Sequence, residues 1–212
     1  MKNIVIENLN SKSLIDDIVK FLTLGIDISV DDKIDEPENG EKINDNKLPP
    51  DVEAAINKLK KTYNLNITQN HIDKEFKQEG ETRKDAGGVN IEAQSEVLKL
   101  IKDCKTANPS VNYPANIVSS YRSYSQQISN FGTKAKSRGI EDTQASNTLP
   151  GFSQHHTGKA FDIFSTEESW WDANPSVEKW VANNAKKYGF DVTYKTQGPV
   201  RKPEPWHLYY IG

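Results

Sequence analysis

Two short stretches hold the residue types from which a metal-dependent hydrolytic centre can be built. One is Ser153-Gln154-His155-His156-Thr157-Gly158-Lys159-Ala160-Phe161-Asp162, the other Pro203-Glu204-Pro205-Trp206-His207. A third, Ser119-Ser120-Tyr121-Arg122-Ser123, adds a cation. Lys159 to Phe164 alternate as a strand does, so Ala160 and Asp162 share one face and Phe161 and Ile163 the other. The second face is apolar and belongs to a core. A carboxylate on such a strand costs about several kcal/mol unless it is paired or binds a metal. His155 lies in the entering loop, and Gly158 permits the turn that returns it over Asp162. Two histidines, one carboxylate and an open position make a known catalytic zinc arrangement, and His207 is the natural third ligand.

Lys202 and Glu204 each precede a proline, which biases both towards extended backbone and gives a stiff entry to the last strand. Glu204 is thereby fixed relative to His207, where a carboxylate acts as general base and then general acid. Zinc would lower the pKa of its water towards ~7, within reach of such a base. Each residue has an ordinary reading when taken singly. Asp162 suits a salt-bridged strand, Arg122 a surface cation and Trp206 core filling. His71 lies in a polar, helix-like stretch and is left structural. His156 neighbours His155, but adjacent side chains point apart, so His155 is favoured.

The elements that must position these groups follow from periodicity. Leu14, Ile18, Phe21 and Leu22 mark a helix over 13–24, and residues 31–50 form an acidic linker. A second helix starts after Pro49-Pro50 with Asp51 as its cap, carrying Val52, Ala55, Ile56, Leu59 and Tyr63 on one stripe. Residues 74–90 are polar. A third helix spans 91–104 with Cys104 among its core positions. A strand at 116–121 leads to a helix capped by Ser123, with Tyr124, Gln127, Ile128 and Phe131 in register. Residues 132–150 are loop-like. A helix over 177–188 ends at Gly189, and Phe190–Tyr194 and Trp206–Ile211 are the last strands. The mixture without regular βαβ spacing implies an α+β domain. The expected organisation is 1–50 as helix and flexible linker, 51–89 as a helical extension and 90–212 as the catalytic domain.

Bulk properties remove other chemistries. The net charge of −3 offers no concentrated basic face for nucleic acid. One cysteine in 212 residues allows neither an internal disulfide nor a thiolate-rich metal site, so any metal falls to His, Asp or Glu. No run approaches the ~18–20 apolar residues of a membrane span, and the first residues lack a signal-peptide pattern. Export would then use a removed leader or another route. Nothing sets an oligomeric state.

With Ser153, His155, Gly158, Ala160 and Asp162 followed by Glu204 and His207, the sequence resembles the D-alanyl-D-alanine carboxypeptidase and dipeptidase family of zinc peptidases, of the VanY type. The Glu204-Pro205-Trp206-His207 form is also close to the L,D-carboxypeptidase branch, and Tyr121-Arg122-Ser123 with Gln127 resembles its Tyr-Arg-Ser segment. The likeness covers roughly 90–212. It implies a small antiparallel sheet flanked by helices, as in Hedgehog and D,D-peptidase folds. It implies one Zn2+ held by His155, Asp162 and His207, with Glu204 as catalytic base. Arg122 would bind a substrate carboxylate or steady the charged transition state, and Ser153, Gln127 and Trp206 would contact a peptidoglycan stem peptide. Tyr209 departs from the Arg that many relatives carry two residues after the last histidine. An endopeptidase of phage type is the competing enzyme, suited to a chain without a visible leader. A non-catalytic zinc or wall-binding module is the competing binder, against which Glu204 argues.

Overall fold

The computed structural model describes residues 48–79, 83–192 and 204–212. The chain divides between Asp45 and Asn46, and all described residues belong to the second unit. The expected helix at 13–24, the acidic stretch up to residue 47 and Pro203 lie outside them.

Helix α1 spans Pro50–Tyr63, with Pro50 at its first turn where a missing N–H costs nothing. Asp51 does not cap it; Pro49 holds that position without a side-chain bond. Instead Asp51 lies in the first turn and accepts a hydrogen bond from the Tyr124 hydroxyl at 3.2 Å. Helix α2, Gln69–Glu79, runs into the start of the stretch read only as polar. Helix α3, Ile91–Ala107, is capped by Asn90, whose side chain accepts from the Ala93 amide at 2.8 Å. Its buried stripe is Ala93, Val97, Leu100, Ile101 and Cys104, and burial pushes the Cys104 thiol up to about 11, as befits a core residue.

Strand β1, Ile117–Ser119, precedes helix α4, Tyr124–Arg138. A full capping box starts α4: Ser123 accepts from Gln126 N–H while the Gln126 side chain accepts from Ser123 N–H. The loop expected at 132–150 is a correction. Helix α4 continues through Arg138, and helix α5 follows at Ile140–Gln144. Their polar exposed faces hid the periodicity. A 3-10 turn at Gln154–Thr157 enters strand β2, Ala160–Ile163. Helices α6, Glu168–Ala173, and α7, Pro175–Asn184, lead through a second 3-10 turn, Ala185–Tyr188, to β3, Phe190–Asp191. Gly189 closes that turn in the left-handed region at φ 74°. Strand β4 is His207–Tyr210.

The four strands form an antiparallel sheet in the order β1-β2-β4-β3, and the helices around it make the α+β fold that the sequence implied. One apolar core joins the sheet to α3 and α7, with Phe161, Ile163, Trp171, Phe190 and Leu208 buried between them. A second core holds α1 against α4 through Val52, Ile56, Leu59, Ile128 and Phe131, and takes in Leu149 and Phe152. Full burial of such side chains is worth about 1.5–3 kcal/mol each. Within the stretch expected as a helical extension, α1 packs on α4 in this core. Among the described residues no helix is long and apolar enough to cross a membrane.

Candidate metal and catalytic site

The register of β2 against β4 sets the centre. Asp162 stands directly opposite His207, with Phe161 opposite Leu208 and Ala160 opposite Tyr209. Directly opposed residues on neighbouring strands bring their side chains together on one face. Accordingly His207 Nδ1 lies 3.0 Å from Asp162 Oδ1. The 3-10 turn before β2 carries His155, whose Nε2 is 3.3 Å from Asp162 Oδ2. Ligand atoms of His155, Asp162 and His207 all lie within 4.8 Å of one another, and all three residues are buried.

Gly158 lets that turn close. It caps the 3-10 segment at φ 69°, and a Cβ there would stand 1.8 Å from the Gly88 carbonyl oxygen. The close approach is fixed by backbone bonds from Asn90 N–H to Gly158 O at 3.0 Å and from Ala86 N–H to His156 O at 2.7 Å.

Both imidazoles are oriented from behind. His155 donates from Nδ1 to the Ser120 carbonyl at 2.5 Å, which leaves its Nε2 lone pair facing Asp162. His207 Nε2 lies 2.8 Å from the Gln154 amide oxygen while Nδ1 faces Asp162. A carboxylate approached by two imidazole nitrogens demands positive charge between them, as protons or as a metal. Burial pushes His207 down to about 4 despite the pull of Asp162, so its ring is neutral near neutral pH and the proton alternative is costly there. Burial works to raise Asp162, but the two imidazoles outweigh it and hold the carboxyl far below the usual range. Two imidazoles and a carboxylate that stays ionised form a donor set that fits a small divalent cation.

A cavity of about 470 Å3 opens on this cluster. Glu204, Trp206, Ser153 and Arg122 line it together with the three candidate ligands. Glu204 begins a tight turn in which His207 N–H donates to the Glu204 carbonyl at 3.0 Å, so the two side chains enter the cavity from one corner. Ser153 caps the 3-10 turn, accepting from His155 N–H at 3.3 Å. Arg122 Nη2 reaches Ser119 Oγ at 3.1 Å and stands 4.0 Å from Asp162 Oδ2; its Nη1 donates to Gln127 Oε1 at 3.1 Å.

Gln127, expected to touch substrate, does not line the cavity. It is fully buried behind Arg122, and its amide nitrogen donates to the Thr148 carbonyl at 2.5 Å. As placed, it steadies the guanidinium. His156 points away from the cluster, as expected, although the reason is the 3-10 turn and not a strand's pleat. Its Nδ1 donates to the Arg122 carbonyl at 2.6 Å, and its Nε2 accepts from Gly151 N–H at 3.1 Å. His71 is far from the centre, bonded to Thr68 and Glu141. Arg83 lies over the Tyr209 ring, its guanidinium carbon 5.6 Å from the centroid.

Two residues escaped the sequence reading. Gln154 touches His207, and its only signal was adjacency to His155. Lys134 lines the cavity and bonds Asn147 Oδ1 at 3.3 Å; its signal was a place one turn after Asn130 on the polar face of α4.

The carboxypeptidase-named protein YodJ of Bacillus subtilis (strain 168) is 34% identical over 127 residues, covering 56% of this chain and 46% of that protein. A D-alanyl-D-alanine carboxypeptidase of Enterococcus faecium is 36% identical over 76 residues, covering 34% of this chain and 24% of that one. The chain thus spans under half the length of these curated relatives. Among solved structures, the LD-carboxypeptidase LdcB matches with TM-score 0.53 and 29% identity, over 62% of this chain and 74% of its own. DacB from Streptococcus pneumoniae D39 matches with TM-score 0.50 and 30% identity, over 60% and 69%. The family model described as VanY, D-alanyl-D-alanine carboxypeptidase, matches residues 87–212, which takes in every residue of the centre. On that match over more than half of its length, the chain belongs to the VanY D-alanyl-D-alanine carboxypeptidase family.

Proposed function

We propose that the protein is a zinc-dependent peptidase that removes a terminal D-amino acid from peptidoglycan stem peptides. The observation that carries this reading is the buried His155–Asp162–His207 cluster at the floor of a cavity that Glu204 and Arg122 also line. His155, Asp162 and His207 would hold one zinc ion. When bound, zinc activates water near neutral pH and polarises the scissile carbonyl. Glu204 takes the proton of the attacking water on a carboxylate oxygen and returns it to the leaving amine. Arg122 presents a guanidinium already oriented by Gln127 and Ser119, so it meets developing negative charge without reorganising. Trp206 and Ser153 give the cavity its wall beside the reacting bond. The names of the relatives, D-alanyl-D-alanine carboxypeptidase and LD-carboxypeptidase, support an exopeptidase on this substrate class over the endopeptidase alternative. Such a substrate lies outside the cytoplasm, where the protein would act.

A defined pentapeptide and tetrapeptide, digested and weighed by mass spectrometry with and without chelator, test this reading. Loss of a single alanine, abolished by chelator and restored by zinc, is expected. Glu204→Gln should lower kcat by about 10²–10⁴ while the protein keeps its zinc. Released stems or cut cross-links would transfer the assignment to an endopeptidase, and full activity in the Glu204 variant would remove the base from the mechanism.

A further inference from the structure

His207 poses a choice that its own strand does not settle. An imidazole offers two nitrogens, and only the one without a proton can bind a metal. The register of β2 and β4 places the ring beside Asp162 but says nothing about where its proton resides. The group at the other end of the ring decides. That group is Gln154, whose amide oxygen stands 2.8 Å from Nε2. Gln154 is itself only 4% exposed, so the contact is made inside the protein.

We propose that Gln154 is a positioning residue for the metal centre: its amide oxygen accepts the Nε2 proton of His207 and so turns the Nδ1 lone pair towards Asp162. The proposal rests on the zinc reading above. It gives the 3-10 turn a double task. His155 on that turn is a ligand, and its chain neighbour Gln154 orients the opposing ligand on β4, 53 positions away. His155 obtains the same service from a backbone carbonyl, that of Ser120 at 2.5 Å. An acceptor behind a ligating imidazole fixes the tautomer and strengthens the lone pair, and its loss typically weakens metal binding by about 10- to 100-fold. A neutral amide does this without adding a second negative charge to a pocket that already buries the Asp162 carboxylate.

The test compares wild type with Gln154→Met, which removes the acceptor at similar volume, and Gln154→Glu, which keeps one. Zinc affinity is read by competition with a chromophoric chelator. The His207 tautomer is read from long-range 1H–15N correlations of the zinc-loaded wild type. We expect about 10- to 100-fold weaker zinc binding in the Met variant and rescue to wild-type affinity or better in the Glu variant. The proton should sit on Nε2 and the metal shift on Nδ1. Unchanged affinity in a folded Met variant, or a proton on Nδ1, would overturn the role of Gln154 and leave the zinc centre standing. Should the Met variant not fold, the wild-type tautomer still decides. A wild-type protein that takes up no zinc overturns the centre and this role together.

Discussion

The two walls of the cavity are built on different principles. On the sheet wall, Asp162 and His207 meet because β2 and β4 pair in one register, and a chain of backbone hydrogen bonds enforces that register. On the helix wall, Arg122 and the turn that carries His155 are held by single contacts: His156 to the Arg122 carbonyl, Gln127 to the guanidinium, Asp85 to Tyr121 and the Tyr124 amide. A one-residue slip on the sheet wall would move every side chain to the opposite face, so that wall is right or absent. The helix wall can loosen by degrees. Two of the three candidate ligands, Asp162 and His207, therefore sit where geometry is all-or-none, while the third, His155, shares with Arg122 the wall that can be tuned.

This contrast orders the expected effects. Asp162→Ala takes from the sheet wall the shared carboxylate that both buried imidazoles face. Loss of the metal's several kcal/mol of transition-state stabilisation makes it the most severe change, more than about 1,000-fold in kcat/KM, with zinc absent by elemental analysis. A variant that keeps zinc and turnover would show that register is not what assembles the centre. Arg122→Lys acts on the helix wall. A lysine cannot bridge Ser119 and Gln127 at once, so kcat/KM should fall by about 100-fold while zinc content stays at one. His156→Leu strands the buried Gly151 N–H and removes the donor to the half-buried Arg122 carbonyl, and should cost about 2 kcal/mol in urea unfolding. Gln127→Met removes a brace and not the guanidinium itself, and roughly a tenfold loss in kcat is expected. Equal losses in the Arg122 and Gln127 variants would mean that the brace, and not the cation, limits turnover.

What could be read from the chain alone follows the same division. The strand residues Ala160 to Ile163 alternate visibly, and Asp162 stood out because a carboxylate interrupts a core strand. Helix α3 was legible from its five-residue apolar stripe, while its Asn90 cap came only with the structure. The Gln127 role was misplaced for a physical reason. Its position on the buried stripe of α4 beside Ile128 and Phe131 is a matter of periodicity, but which polar group it meets there depends on Thr148, 21 residues on, and on Arg122. Gln154 was invisible for the same cause, since its partner is 53 residues away and no local pattern encodes it. Helix α5 was missed, and α2 was read only as a helix-like stretch around His71, because each is mostly polar. Contacts made by repetition leave a trace in sequence; contacts made once, over long separations, do not.

Asp85 offers the mildest and most specific probe of the helix wall. Burial alone would raise its pKa, but bonds from the Tyr121 hydroxyl and the Gly87 and Tyr124 amides outweigh burial and hold the carboxyl below its ordinary value. In the unfolded chain it titrates near ~3.9. The folded protein therefore prefers the ionised form more than the unfolded chain does. Its stabilising contribution is complete well above ~3.9 and is lost as pH falls through the lower folded value. Asp85→Asn keeps an acceptor for one of the three donors and cannot titrate. The variant should be less stable than wild type at pH 7, and the gap in urea midpoint should shrink as pH drops below about 4. A gap that stays constant down to pH 3 would mean the carboxylate's charge contributes nothing, and that Asp85 pins residues 83–88 to the start of α4 by shape alone. Either way the candidate ligands on the sheet wall should be undisturbed, since none of the hydrogen bonds described for Asp85 crosses to β2 or β4.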